Sequence, residues 1–236
     1  MTEDALKFES RFFHPDSYRI QHEWDKIAFE LDSHIKLIGI MGNSLELEMK
    51  NLITEYRRIS NSEISELDKT NALDDIDVEG NNFETYNEVY LNSFYINIYS
   101  IFENTLLRIC TSYCIPNSDD LKKKLKGNLS FIEKYLNIIK ETVNYEFTEI
   151  QSEFNLFNSE YRTLRNYFIH SRYVCTSKEI ENLKNLESIG FISSGLGSNL
   201  KPQIENKEFI IDFIKRVKSF LHELYVIFYK KFMENK

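Results

Sequence analysis

Glycine and proline, the residues that most often interrupt helices, are scarce in this chain of 236 residues, which has 7 glycines and 3 prolines. Because many short strands need many turns, this scarcity argues against an all-β fold and favours long helices. No apolar run approaches the roughly 18 residues of a membrane-spanning helix, and the first residues are acidic, unlike a secretory signal. The sequence therefore predicts a soluble, cytoplasmic, all-α protein.

Cysteine is also rare, with 3 residues in the chain. Cys110 and Cys114 would lie one turn apart on a helix, which is the spacing of neither a CxxC redox pair nor a zinc knuckle, and Cys175 is isolated. We therefore expect free thiols. The chain also lacks a glycine-rich phosphate loop, an HExxH motif and a GxSxG motif. No metal-ligand spacing joins its scattered histidines His14, His22, His34 and His222. The sequence thus predicts no metal and no cofactor.

Basic residues are fewer than acidic residues, and the difference lies in the N-terminal third of the chain. Residues 1–83 hold 18 acidic and 9 basic side chains, whereas residues 84–236 hold 19 and 20. A protein that coats duplex DNA would need a basic excess, because counterion release supplies most of such affinity. The lysine-rich run at residues 122–126 is either a solvated surface or a local attraction for nucleic acid.

Hydrophobic periodicity predicts a long N-terminal helix. Residues 1–14 are expected to be a loose lead-in, and Pro15 is a suitable first helical residue. The helix is either continuous or broken near Gly39 and Gly42. Its apolar residues include a seam with a spacing of seven, as in coiled coils: Trp24, Leu31, Ile38, Leu45 and Leu52. Such a seam needs a partner, which is either the rest of this chain or a second copy.

The remainder reads as an acidic linker followed by a helical bundle. Residues 60–82 are rich in acidic residues, serine and asparagine, so we expect a linker there. Helical patterns then follow in chain order. The first covers residues 84–113, the second begins with Asn128 as N-cap, the third covers residues 149–172, and the last begins near Asn206. Residues 187–211 carry glycines and a proline, which indicates a loop or a short hairpin. The predicted division is 1–82, the long helix and linker, and 83–236, an up-and-down bundle.

One helix of this bundle carries the candidate chemistry. Over residues 149–172, apolar residues recur at spacings of 3, 4, 3 and 4 and define one buried stripe: Phe154, Phe157, Tyr161, Leu164 and Phe168. Helical phase puts Asn166 and His170 on the opposite face, four residues apart, with Arg165 on the flank of the stripe. This phase predicts a polar, outward-facing group of side chains.

An Arg, a following polar residue and a His late in the third helix of a bundle resemble the signature of the HEPN superfamily. The matching residues here are Arg165, Asn166 and His170, within Leu-Arg-Asn-Tyr-Phe-Ile-His-Ser. The helix with Phe102-Glu103-Asn104 is similar to the first bundle helix of that superfamily. The resemblance covers roughly residues 84–233 and implies a HEPN-like fold.

The resemblance also implies a metal-independent endoribonuclease that acts as a homodimer, with the Arg and His of both protomers in one cleft. In that interpretation His170 is the general base or acid, Arg165 clamps the phosphate, and Asn166 orients His170 or the phosphate. The products would carry a 2′,3′-cyclic phosphate. Such enzymes serve toxin–antitoxin or phage-defence systems, so RNA and an antitoxin or regulatory protein are the expected partners.

Further residues around the motif are candidate substrate contacts: Arg162, Arg172, Tyr173 and Glu103. Some members of the superfamily carry a modifiable Tyr two residues after the His, but this chain has Arg172 there and Tyr173 one residue later. Glu103 either reaches across the bundle to Arg165 or is solvated. The alternative function is a non-catalytic HEPN-like module that binds a nucleotide or a protein partner through the same polar face.

Overall fold

The computed structural model describes residues 15–144, 148, 150–170, 175–193 and 200–234. This part of the chain is mostly helical, with one two-stranded antiparallel sheet. The elements in chain order are α1 (Pro15–Ser60), α2 (Glu66–Ile109), α3 (Ser118–Lys124), α4 (Phe131–Val143), α5 (Gln151–Leu156), α6 (Arg162–Ile169), α7 (Ser177–Leu183), β1 (Ile189–Ser193), β2 (Leu200–Ile204) and α8 (Lys207–Glu234). The predicted lead-in at residues 1–14 lies outside the described residues.

The N-terminal helix is continuous, so of the two alternatives the unbroken one is correct: α1 runs for 46 residues through both of its glycines. Its first half packs against α2 and α8 of the same chain. The hydroxyl of Tyr90 donates to the carbonyl of Ile38 at 2.6 Å, and Lys218 contacts Asp32 at 2.7 Å. The rest of the chain therefore covers this half of the seam.

The expectation of an acidic linker at residues 60–82 is wrong. A short turn follows Ser60, and α2 then begins at Glu66, with the hydroxyl of Ser65 accepting from the amide of Asp68 at 3.2 Å. Acidic residues in a first turn favour the helix dipole. Residues with the 3 and 4 spacing of a helix, Leu73, Ile76 and Phe83 among them, are half-buried. The acidic composition of residues 60–82 was given more weight than this helical spacing of apolar residues. The division at residues 82 and 83 stays a prediction, and that point lies inside α2.

Aromatic side chains from three helices form the centre of the bundle. The ring of Phe213 on α8 lies 4.9 Å from that of Tyr95 on α2 and 4.6 Å from that of Tyr161. The last helix buries the positions predicted from its period, Ile210, Phe213, Val217, Phe220, Leu224 and Phe228. The side chain of Phe232, also predicted to point inward, lies outside the described part. The bundle core is thus built by α2, α4, α8 and the helix of the candidate motif.

Two local predictions at helix starts had different outcomes. The N-cap of α4 is Ser130, whose hydroxyl accepts from the amide of Glu133 at 3.1 Å, so the choice of Asn128 is wrong by two residues. Asn206 does cap α8, because its side-chain oxygen accepts from the amide of Phe209 at 3.1 Å. A capping side chain must sit at the actual turn, which periodicity locates only within a few residues.

The glycine-containing stretch before α8 is a hairpin, which resolves the choice between a loop and a hairpin. β1 and β2 are antiparallel, and Phe191 lies opposite Pro202. The short helices α3 and α7 were not predicted. No helix in the described ranges is both long enough and apolar enough to cross a membrane.

Candidate functional site

The motif lies on a helix with a wide turn in its middle. α5 passes into a π-helical turn, Phe157–Tyr161, and then into α6, so the helix covers residues 151–169. His170 follows as its C-cap, with φ −90° and ψ 7°. The predicted helix began two residues earlier, and residues 171 and 172 at its predicted end lie outside the described residues. The predicted stripe is confirmed with one change at its end: Tyr167 is buried and Phe168 is half-buried.

Two tyrosines of α2 bind the carbonyls of this wide turn. The hydroxyl of Tyr95 donates to the carbonyl of Tyr161 at 2.5 Å, and that of Tyr99 points to the carbonyl of Phe157 at 3.5 Å. Burial raises the pKa of Tyr95 and the pKa of Tyr99, so both hydroxyls keep their protons and can donate. In this π-turn the backbone amide of Arg162 donates to the carbonyl of Phe157, five residues earlier, and the two tyrosine hydroxyls add side-chain donors to the carbonyls of Tyr161 and Phe157.

Arg165 is held in place from three sides. One terminal nitrogen lies 3.5 Å from a carboxylate oxygen of Glu103, and the other donates to the side-chain oxygen of Asn166 at 3.1 Å. The guanidinium carbon lies 5.8 Å from the ring centre of Tyr99, within the range of a cation–π interaction. The charge is therefore fixed in position, and the Nε–H of Arg165 is a buried donor without a partner among the described residues.

Glu103 and Tyr99 lie four residues apart on α2, and both contact the guanidinium of Arg165. Burial raises the pKa of the Glu103 carboxyl, and the nearby charge of Arg165 opposes that rise. Side chains of both Glu103 and Arg165 are 25% exposed. Sequence reasoning considered Glu103 but missed Tyr99, although the spacing of four between them was a usable signal.

Asn166 and His170 differ in their surroundings. Asn166 is half-buried and uses its oxygen for Arg165, whereas His170 is exposed. The backbone amide of His170 donates to the carbonyl of Asn166 at 3.1 Å. Within the described part of the chain, no side-chain hydrogen bond joins the two. The structure thus brings Arg165, Asn166 and Glu103 together and leaves the imidazole open at the end of the helix.

The remaining predicted contacts are dispersed. Arg162 donates to the side-chain oxygen of Asn158 at 3.4 Å, one turn before the motif. Arg172 and Tyr173 lie outside the described residues. In the lysine-rich run, Lys122 and Lys123 pair with Asp119 and Asp120 at 3.3 and 3.0 Å, and Lys124 pairs with Glu141. These pairs favour the solvated-surface interpretation of that run.

Comparisons with protein-family models, curated proteins and solved structures found no match to this chain. Within the described residues, no group of three or more His, Cys, Asp or Glu side chains is arranged to hold a metal ion. Cys110 and Cys114 are free thiols, as expected, and Cys175 is buried. What the site can do therefore follows from its own side chains, which are an anchored guanidinium, an amide and an open imidazole.

Proposed function

We propose that this chain is a HEPN-like, metal-independent endoribonuclease of a toxin–antitoxin or phage-defence system. The observation that carries the proposal is the anchored guanidinium of Arg165, in the same helix as the exposed imidazole of His170. A fixed cation and an open proton carrier are the two groups that RNA cleavage without a metal requires. The HEPN-like arrangement of the bundle is part of the proposal.

The reaction uses the ribose as its own nucleophile. His170 takes the proton from the 2′-hydroxyl, the 2′-oxygen attacks phosphorus, and the bond from phosphorus to the 5′-oxygen breaks. The leaving 5′-oxygen receives a proton from solvent water, and the other product ends in a 2′,3′-cyclic phosphate. An imidazole suits this proton transfer because its ordinary pKa is near neutrality, and such transfer contributes about 10²- to 10⁴-fold to the rate.

Arg165 stabilises the negative charge that builds on the phosphate oxygens, since a guanidinium binds such oxygens with charge-assisted hydrogen bonds. Glu103, Asn166 and the ring of Tyr99 hold the guanidinium before substrate arrives, so little reorganisation is needed. Asn166 keeps its amide nitrogen for the phosphate or for His170. We assign Arg162 a supporting contact with the RNA backbone.

The active unit in this proposal is a homodimer. His170 faces away from the core of its own bundle, so a two-fold partner can bring a second Arg165 and His170 to the same cleft without burying an unpaired charge in either monomer. Sedimentation velocity at micromolar concentration tests this arrangement. A purely monomeric protein that still cleaves RNA would remove the shared cleft from the proposal.

A second candidate is favoured by one specific contact. Glu103 already neutralises Arg165, and an arginine with an internal partner is less available to phosphate. In this alternative the chain is a non-catalytic HEPN-like module, and the polar face of Asn166 and His170 binds a nucleotide or a protein.

Cleavage of RNA in the presence of EDTA distinguishes the two candidates. Purified protein is incubated with tRNA and mRNA beside His170→Ala, and product ends are identified by mass spectrometry. We expect cyclic phosphate ends and a loss of at least about 10²-fold in the variant. His22→Ala, which removes an exposed histidine of α1, is the matched control and should cleave normally. Intact RNAs with the wild type, or equal cleavage by His170→Ala, would contradict the endoribonuclease proposal. The non-catalytic binding module would then be the remaining candidate.

A further inference from the structure

The end of α1 and the start of α2 form a helical hairpin, residues 41–89, that we call the arm. Its large apolar side chains are mostly exposed, and Ile59, which is 8% exposed, is the one large apolar side chain of the arm that is buried. Nine others are at least 39% exposed: Met41, Leu47, Ile53, Tyr56, Ile64, Leu67, Val78, Tyr86 and Val89. Exposed apolar side chains that are concentrated in one segment are typical of interaction sites in soluble proteins.

The arm also carries the net charge of the whole protein. Residues 41–89 contain 12 acidic and 4 basic side chains, a net of −8, and the complete chain has the same formal net charge of −8. Everything outside the arm is therefore balanced. A surface that is both apolar and strongly acidic attracts cationic, amphipathic partners.

A cavity of about 400 Å³ opens where the arm joins the bundle. Leu45, Met49 and Phe83 supply apolar walls, and Glu84 lies at its side. Tyr90 closes the inner end, with its hydroxyl bonded to α1. The cavity is large enough to take a bulky apolar side chain.

A second cavity, of about 590 Å³, continues outward along the arm and shares Met49 and Glu84 with the first. Ile53 and Ile76 line it from the two helices. Gly80 also lines it, and a Cβ built on Gly80 would meet nothing within 4 Å. The two cavities together form one groove, which we call the arm groove, between the antiparallel helices.

We propose that the arm groove binds a basic amphipathic helix of a partner protein. The groove follows α1 from residue 42 to residue 57, and at 1.5 Å per residue this is roughly 22 Å, the length of about four helical turns. Apolar side chains of the ligand helix enter the groove, and its Lys or Arg residues meet the acidic arm, which is helix-in-groove recognition. This proposal is independent of RNA cleavage.

Charge excludes the two other obvious occupants. A second copy of the chain would bring another arm with a net of −8 against the first, and like charges placed together oppose association. Nucleic acid is a polyanion and is repelled by the same field. A cationic helix is the occupant that matches both the apolar walls and the sign of the charge.

Binding of designed peptides to the full chain tests the proposal. The probe is a fluorescein-labelled peptide of about 16 residues with Leu at helical positions i, i+3, i+4 and i+7 and Lys elsewhere. One comparison peptide has Glu in place of Lys, and another has the same composition with Leu on all faces. By fluorescence anisotropy, we expect the amphipathic Lys peptide to bind one to one and at least about tenfold tighter than either comparison. Equal binding of the three peptides would overturn the proposal.

Variants of the protein locate the binding site. Gly80→Trp fills the outer cavity, and Asp77→Lys with Glu84→Lys reverses two charges beside it; each should weaken the peptide at least about tenfold. The matched control is Glu181→Lys with Glu187→Lys, the same charge change on exposed residues outside the arm, which should change binding by less than about twofold. Ile53→Ser provides a milder second variant if Gly80→Trp unfolds, as judged by circular dichroism.

Three results would overturn the proposal. The control pair could weaken binding as much as the arm pair, which would make the attraction generic. Both Gly80→Trp and Ile53→Ser could fold and bind normally, which would place the peptide elsewhere. Sedimentation could show a wild-type dimer that Gly80→Trp dissociates, which would make a second copy the occupant.

Discussion

The two halves of α2 belong to one continuous helix but have different surroundings. From Tyr90 to Ile109 this helix contributes nine buried residues to the bundle, whereas no residue from Glu66 to Val89 is buried. The first half packs along α1 and meets the hairpin near its end, where Glu88 pairs with Lys201 of β2 at 2.5 Å. The second half is enclosed by α4, α6 and α8. Continuity of a helix therefore says little about how strongly its parts are stabilised, because most helical stability comes from packing.

The largest expected difference between the two regions is the cost of removing a phenylalanine ring. Phe213→Ala empties the aromatic centre of the bundle, where Phe213 is 0% exposed, and should lower the free energy of unfolding by about 3–5 kcal/mol. Phe83→Ala, on the half-buried inner face of the arm, should cost about 1 kcal/mol. Urea denaturation of both variants measures the two losses. Equal losses would mean that the arm is packed as tightly as the bundle.

A hydroxyl deletion tests the link between the bundle core and the motif helix. Tyr95→Phe removes the hydrogen bond to the carbonyl of Tyr161 and leaves that buried group without this donor, so we expect a loss of about 1–3 kcal/mol. Tyr86→Phe on the arm, where the side chain is exposed, should change stability by less than about 0.5 kcal/mol. Thermal unfolding compares the pair. A neutral Tyr95→Phe would show that the wide turn does not depend on that hydroxyl.

Two glycines of the N-terminal helices differ in the space beside them: Gly80 faces open space, whereas Gly42 lies against the side chain of Lys207. Gly80→Ala should raise stability by up to about 1 kcal/mol, because alanine favours a helix interior and nothing lies within 4 Å of the new Cβ. At Gly42 the new Cβ would come within 2.5 Å of the Lys207 side chain, so Gly42→Ala should gain less. Unfolding in urea measures both changes. A larger gain at Gly42 than at Gly80 would contradict the open groove.

The last comparison is a pH slope of opposite sign in the two regions. Burial raises the pKa of Glu103 in the bundle above its usual 4.5. The folded state then keeps a proton that the unfolded state has lost, so stability is greatest below pH 4.5 and falls as the pH rises through the folded pKa. A hydrogen bond from Lys207 lowers the pKa of Glu46 on the arm, so its contribution is present above pH 4.5 and is lost as the pH falls through the lower folded pKa.

Denaturation of Glu103→Gln and Glu46→Gln at a series of pH values tests these signs. The first variant should lose the decline with rising pH, and the second should lose part of the decline in acid. For each variant, the stability difference from the wild type is plotted against pH. Slopes of the same sign in the two plots would show that the pKa values of Glu103 and Glu46 are not shifted in opposite directions.

Periodic features were predictable from the sequence, and features that depend on a distant residue were not. The stripe from Phe154 to Leu164 and the inward face of α8 follow from local spacing, and both are buried. The linker prediction failed because acidic composition was weighed above the helical spacing of Leu73, Ile76 and Phe83. The wide turn in the motif helix had no local signature, since the groups that bind its carbonyls, Tyr95 and Tyr99, come from another helix.

For the candidate site, the sequence by itself determined that Asn166 and His170 share the outward side of a helix, because helical phase is a local property. Only the tertiary structure decided that Arg165 is held by Glu103 over the ring of Tyr99. It also decided that half of the N-terminal seam is covered by α2 and α8 while the arm stays open. Which side chains meet depends on how distant helices pack, and no spacing within one helix specifies that.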